Sequence, residues 1–194
     1  MARPLISGEK PLDWVGSSKR DFLTFPAAVQ DELGNALGLA QFGGKHPQAK
    51  PWKGQGAGVF EVVENHDGNT YRAVYTRLGM ATRSGKSGAT ETIVRGSTNV
   101  FADLGFVDAE ERQTKLRLAL ALNSILDERR LSQADAAARL GINQPKVSAL
   151  RNYKLDGFSV ERLMTLLTAL DRDIEIIIRK KRSRGAARIS VTAA

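Results

Sequence analysis

Cysteine is absent from the 194 residues, and histidine occurs only twice. Without cysteine there is no disulfide scaffold, no cysteine-ligated zinc or iron-sulfur site and no thiol nucleophile, and the composition suits a reducing compartment. His46 and His66 stand in turn-like settings without a clustered carboxylate set, so no metal and no other cofactor is expected. No uncharged apolar run approaches the roughly 18 to 20 residues of a membrane span. The first residues, Met-Ala-Arg-Pro-Leu-Ile-Ser-Gly-Glu, lack the apolar core of a signal peptide. The expected setting is cytoplasmic, with no membrane partner.

What is present is an ordinary globular composition, 42% hydrophobic and 26% charged, in a length that allows one domain or two small ones. Basic residues outnumber acidic ones by 29 to 21, a formal net charge of +8. Six of those charges fall in the acid-free tail from Arg179 to Arg188, whereas Gly96 to Ile178 holds 11 basic and 12 acidic residues, or 11 − 12 = −1. The excess of charge therefore describes a basic arm, either solvated or lying along phosphates, and does not single out a DNA-binding body.

Texture changes between about Leu78 and Gly96, where LGMATRSGKSGATETIVRGST is rich in Gly, Ser and Thr. Such residues bury little, so residues 78–98 read as a linker between a first part, 1–77, and a second, 99–179, with 180–194 as the basic tail. The first part reads as strand (Leu12 to Val15), two helices, then strands Val59 to Glu64 and Thr70 to Thr76 joined by His66-Asp67-Gly68-Asn69. Its second helix begins near Pro26 and carries Val29, Leu33, Leu37 and Ala40 on one face. The second part is mostly helical and closes on DIEIIIR, a β-branched strand pattern. The fold class is α+β: a small α/β N-terminal fragment plus a mostly α-helical domain with a C-terminal strand.

The segment from Gln133 to Asn152, QADAAARLGINQPKVSALRN, carries the chemistry. Two helices meeting at a sharp angle need a small residue at their closest approach, a turn residue free of Cβ strain and apolar inward positions. Ala137, Gly141 and the set Ala136, Leu140, Ile142, Val147 and Leu150 meet those needs. Gln144, Lys146, Ser148, Arg151 and Asn152 then face outward, and Gln133 and Asn143 stand at the two helix starts. All seven can hydrogen-bond bases or phosphates. Gln144 suits bidentate readout of adenine, while Gln133, Lys146 and Arg151 suit phosphates. The alternative is a helical bundle in which these positions serve packing alone.

From about Asn99 to Arg179 the chain resembles the HigA-type antitoxins of the XRE (Cro-like) helix-turn-helix class, through NVFADLGF, LSQADAAARLGINQPKVSAL, GFSVERLMTLLTALDRD and EIIIR. The resemblance implies binding to double-stranded operator DNA as a homodimer, with Gln144 in the major groove, and repression of a toxin-antitoxin operon. The closing strand either packs on its own helix or pairs with its copy in a second subunit, which would space two recognition helices by one DNA turn, ~34 Å.

Residues 11 to about 77 resemble HigB-type toxins of the RelE-like superfamily, in the branch of phage-derived toxin-like proteins, through DWVGSSKRDFLTFP, LAQFGGKHPQAKPWKG and GVFEVVENHDGNTYRAVY. Such toxins are metal-independent ribonucleases acting on messenger RNA at the ribosome, and Lys53, Arg72 and Tyr75 are the matching catalytic candidates. The family continues after YRAVYT with further strands and a basic segment, whereas this chain passes to its second part. The expectation is a truncated, inactive toxin fragment and hence no enzyme, with a ribosome-dependent endoribonuclease restrained by the second part as the alternative. A separate HigB/RelE-like toxin is a further expected partner. The piece MATRSGKSG is set aside as a phosphate loop because Met80 occupies the first Gly slot and no apolar helix follows.

Overall fold

A computed structural model describes residues 10–53, 58–76, 92–180, 189 and 191–192. It divides into two compact units, one running through Ala109 and the other from Glu110 onward.

The first unit contains β1 (Asp13–Val15), α1 (Ser18–Phe22), α2 (Ala27–Gln41), β2 (Lys50–Pro51), β3 (Val59–His66), β4 (Asn69–Thr76), β5 (Ile93–Arg95) and α3 (Val100–Asp103). The strands β2, β3 and β4 form an antiparallel sheet in that order. Asp67 and Gly68 join β3 to β4 with φ of 48° and 75°, the paired positive values of a two-residue hairpin turn. On α2, Val29, Leu33, Ala36 and Leu37 are buried by their spacing of three and four. Each fully buried leucine contributes about 1.5–3 kcal/mol. Ala40, expected on the same face, is half-buried.

Ser17 stands at the start of α1 but caps no backbone N–H; its hydroxyl donates to Asp21 Oδ2 at 2.6 Å. An aromatic series, Trp14, Phe22, Phe25 and Tyr71, then ties β1 and α1 to β4 with ring centroids 5.9, 5.5 and 5.0 Å apart. Trp14 is thereby a packing residue.

The stretch expected as a linker differs from its reading. Residues 77–91, including the MATRSGKSG piece, lie outside the described residues, but Ile93–Arg95 is a strand paired antiparallel with β1. Adjacent β-branched Ile93 and Val94 favour that conformation once Trp14 offers a neighbour. The short α3 also belongs to this first unit.

The second unit is helical, with α4 (Ala109–Glu128), α5 (Gln133–Leu140), α6 (Gln144–Arg151) and α7 (Val160–Thr168). Leu118, Leu122, Ile125 and Leu126 of α4 are buried, as the sequence pattern requires. Phe158 and Leu163, flanking the cap Ser159, are buried at the spacing of a hydrophobic staple.

The expected C-terminal strand is a correction: residues 171–180 form no strand, and Ile176 and Ile178 are 73% and 94% exposed. A strand exists only as part of a hydrogen-bonded ladder, and no partner for this one is present among the described residues of a single chain. The basic residues 181–188 lie outside the described ones.

Candidate nucleic-acid interface

The angle between α5 and α6 is set by local chemistry. Ser132 Oγ accepts the N–H of Asp135 and donates to its carboxylate at 2.6 Å, closing the first turn of α5. Gly141 ends α5 in the left-handed region, φ 62° and ψ 37°, and the Ile142 N–H reaches back to the Ala137 carbonyl at 3.1 Å. Two residues later Asn143 Oδ1 accepts the Lys146 N–H at 2.9 Å and starts α6. A residue with Cβ would be strained at Gly141, although the space around it is open. Ala136, Leu140, Val147 and Leu150 fill the angle and are buried; Ile142 is half-buried.

The seven residues singled out for DNA separate into two groups. Gln133, Gln144 and Lys146 are exposed, and their side chains make no hydrogen bond among the described residues. They occupy the N-terminal turns of α5 and α6, where backbone N–H groups also favour a phosphate. Ser148 is half-buried one turn further on. Asn143 is exposed, but its side-chain oxygen is used for capping, and Asn152 donates from Nδ2 to the Ser148 carbonyl at 2.9 Å. Arg151 is more fully committed: Nη1 meets Asp127 Oδ1 at 2.6 Å and Nη2 donates to the Leu131 carbonyl at 2.9 Å. Its guanidinium braces α6 against the end of α4.

Two further braces were not legible in the sequence. Buried Asn123 donates from Nδ2 to the Leu150 carbonyl at 3.0 Å, holding α4 to the last turn of α6. Beside it Tyr153, at φ 57°, has its phenol pushed up by burial, an effect opposed by a bond to Asn123 and increased by the Asp127 charge. On the other side, Arg129 donates to the Leu170 carbonyl at 2.7 Å and pairs with Asp171 at 3.2 Å, and Arg139 of α5 pairs with the same carboxylate. Those two guanidinium bonds hold the Asp171 carboxyl below its usual range. Helix periodicity carries no signal for either brace, since each joins elements distant along the chain.

The candidates for RNA cleavage do not come together. Arg72 and Tyr75 are three positions apart on β4 and so point to opposite faces of the sheet. Arg72 pairs with Glu61 Oε2 at 3.1 Å on the outer face, while Tyr75 is buried and stacks on Phe60 with centroids 5.8 Å apart. Lys53 is exposed beyond β2. Among the described residues there is no cluster of His, Asp and Glu able to hold a metal, and no helix is long and apolar enough to cross a membrane. His46 is buried, with Nδ1 accepting the Gln48 N–H at 3.3 Å.

Residues 100–179 match the family described as "Helix-turn-helix domain", and residues 20–79 match "Phage derived protein Gp49-like". Among solved structures, a chain described as "Putative XRE Family Transcriptional Regulator" is 83% identical over 45% of this chain and 99% of its own, with a TM-score of 0.44. No curated protein matches.

Proposed function

The chain belongs to the XRE family of helix-turn-helix transcriptional regulators, DNA-binding proteins, with a Gp49-like part ahead of that domain, and from this premise we propose that it is a HigA-like antitoxin-type repressor reading a specific operator as a homodimer. The observation that carries the reading is the contrast within the helix-turn-helix. Gln144 and Lys146 stand exposed and uncommitted on the first turn of α6, while Arg151 is spent on holding that helix in place. Gln144 reads a base edge in the major groove, and Gln133 and Lys146 hold phosphates on either side. The second subunit pairs along residues 173–179, whose exposed isoleucines and unladdered backbone favour a copy of the same strand.

The Gp49-like part serves as a structural domain and not as a ribonuclease. General acid-base chemistry needs its groups within hydrogen-bond reach of one phosphodiester, and Arg72 and Tyr75 lie on opposite sheet faces. The setting is cytoplasmic, and a separately encoded HigB/RelE-like toxin is a further partner. Gel shifts with the DNA upstream of the chain's own gene test the operator reading, and sedimentation of Ile176→Asp tests the dimer. Equal affinity for operator and scrambled duplex would refute the first, and an unchanged dimer would refute the second. Cleavage of a messenger transcript by translating ribosomes given the full chain would restore the enzymatic reading.

A further inference from the structure

Helix α7 ends where a glycine would be the easier choice. Asp171 takes the left-handed conformation there, φ 58°, while the Asp171 and Arg172 N–H groups return to the Thr168 and Leu167 carbonyls at 3.0 and 3.2 Å. The strain of that conformation is kept together with a carboxylate on which two other elements converge. Arg129, just past α4, donates to Asp171 Oδ2 at 3.2 Å and to the Leu170 carbonyl at 2.7 Å, and Arg139, in the last turn of α5, pairs with the same Oδ2. Beyond Arg172 the chain has no further polar hold: residues 173–180 are exposed and make no hydrogen bond among the described residues.

We propose that Asp171 is a positioning residue that fixes the direction in which residues 172–179 leave the helix-turn-helix, and through it the separation of half-sites that a dimer accepts. The inference rests on the dimeric operator reading above and names what sets its geometry. In a dimer paired along 173–179, the path from one α6 to the other passes through this root twice, so a change of direction there is doubled in the span. One base pair of added spacing turns a half-site by roughly 35° about the duplex axis, and a loose root would therefore accept several spacings. Stability alone does not account for the arrangement. The Asp171 side chain is 68% exposed, and ion pairs so open to water contribute little. What two guanidinium groups on one carboxylate do supply is a fixed relation between the end of α4, α5 and the start of the segment.

Asp171→Gly separates the two roles of the residue, because glycine keeps the turn and removes the carboxylate. The full chain, which has no cysteine of its own, is labelled with nitroxides at Ala134→Cys and Glu175→Cys and diluted with unlabelled chain, so that only distances within one chain are read. One narrow distance is expected, broadened about twofold or more by Asp171→Gly. Arg139→Ala should broaden it as well and add nothing to Asp171→Gly. On duplexes carrying two copies of the half-site from the upstream DNA, at separations one base pair apart, the unaltered chain is expected to prefer one separation by about tenfold. Asp171→Gly is expected to keep less than about a third of that preference and to bind a single half-site as before. A broad distance in the unaltered chain, an equally narrow one in Asp171→Gly, or an unchanged spacing preference overturns the proposal. The distance is read without DNA, so the two failures are distinguishable: a narrow distance in a chain that binds no operator refutes the operator reading, and the spacing role with it.

Discussion

Arg151 and Asp127 meet at 2.6 Å across the gap between α6 and the end of α4, and the same guanidinium donates to the Leu131 carbonyl. Arg151 sits among residues suited to phosphate contact but acts on the protein. Arg151→Ala is expected to cost about 1–2 kcal/mol, the value of a charge-assisted pair reduced by the exposure of Asp127. It should also leave the salt dependence of DNA binding unchanged, where loss of a phosphate contact lowers the slope by about one. Urea unfolding and binding titrations across salt concentration measure the two effects.

Gln144 and Lys146 share a helical turn and should fail differently. Gln144→Ala is expected to cost about 1–3 kcal/mol of discrimination at one base pair with little effect on nonspecific binding. Lys146→Ala is expected to weaken all duplexes alike and to reduce the salt slope by about one. Competition between a selected duplex and its single-base variants separates the two.

Gly141→Ala introduces a side chain into open space at a left-handed position. The cost is then backbone strain alone, about 1–2 kcal/mol, and Gly141→Asn should lose less because Asn tolerates that conformation. Thermal unfolding followed by circular dichroism ranks the two variants.

Gln41→Leu removes three hydrogen bonds at once, stranding the buried Val100 N–H and loosening the part-buried Lys10 and Ser97 carbonyls, of which Ser97 keeps the Leu12 N–H. A loss of about 2–4 kcal/mol is expected, above that of a leucine-to-alanine change at a half-exposed site. Urea denaturation of the full chain should show it in the transition of the first unit, with the helical second unit melting as before.

Asp171 and Tyr153 set opposite ends of the pH response. The Asp171 carboxyl is held below its ordinary value of 3.8 by Arg129 and Arg139, so its stabilising contribution is present above that value and lost as pH falls through the lowered one. Tyr153, raised above 10.0 chiefly by burial, holds its contribution below 10.0 and loses it as pH rises through the raised value. Asp171→Asn should flatten the acid limb of a stability profile and Tyr153→Phe the alkaline limb, each without moving the other.

Caps and turns were legible because they are written within a few residues. Ser132, Gly141, Asn143 and Ser159 announce their helix ends by type and spacing, and Asp67-Gly68 announces its hairpin. The role of Arg151 was not, since an exposed polar residue on α6 looks the same whether it faces DNA or its own fold. The Ile174 to Ile178 run announced a strand by its β-branching, but a ladder needs a neighbour that a single chain does not supply.

The sequence by itself determined the local conformations, the helix faces to be buried and the polar residues available for DNA, because those follow from periodicities and side-chain chemistry acting over one or two turns. The tertiary structure decided which distant groups meet: Gln41 with Val100 across 59 positions, Arg151 with Asp127 across 24, and β5 with β1 through a stretch read as linker. Such pairings gain their free energy only after the chain has been brought into place and the buried groups have lost their water. No short window of residues records them.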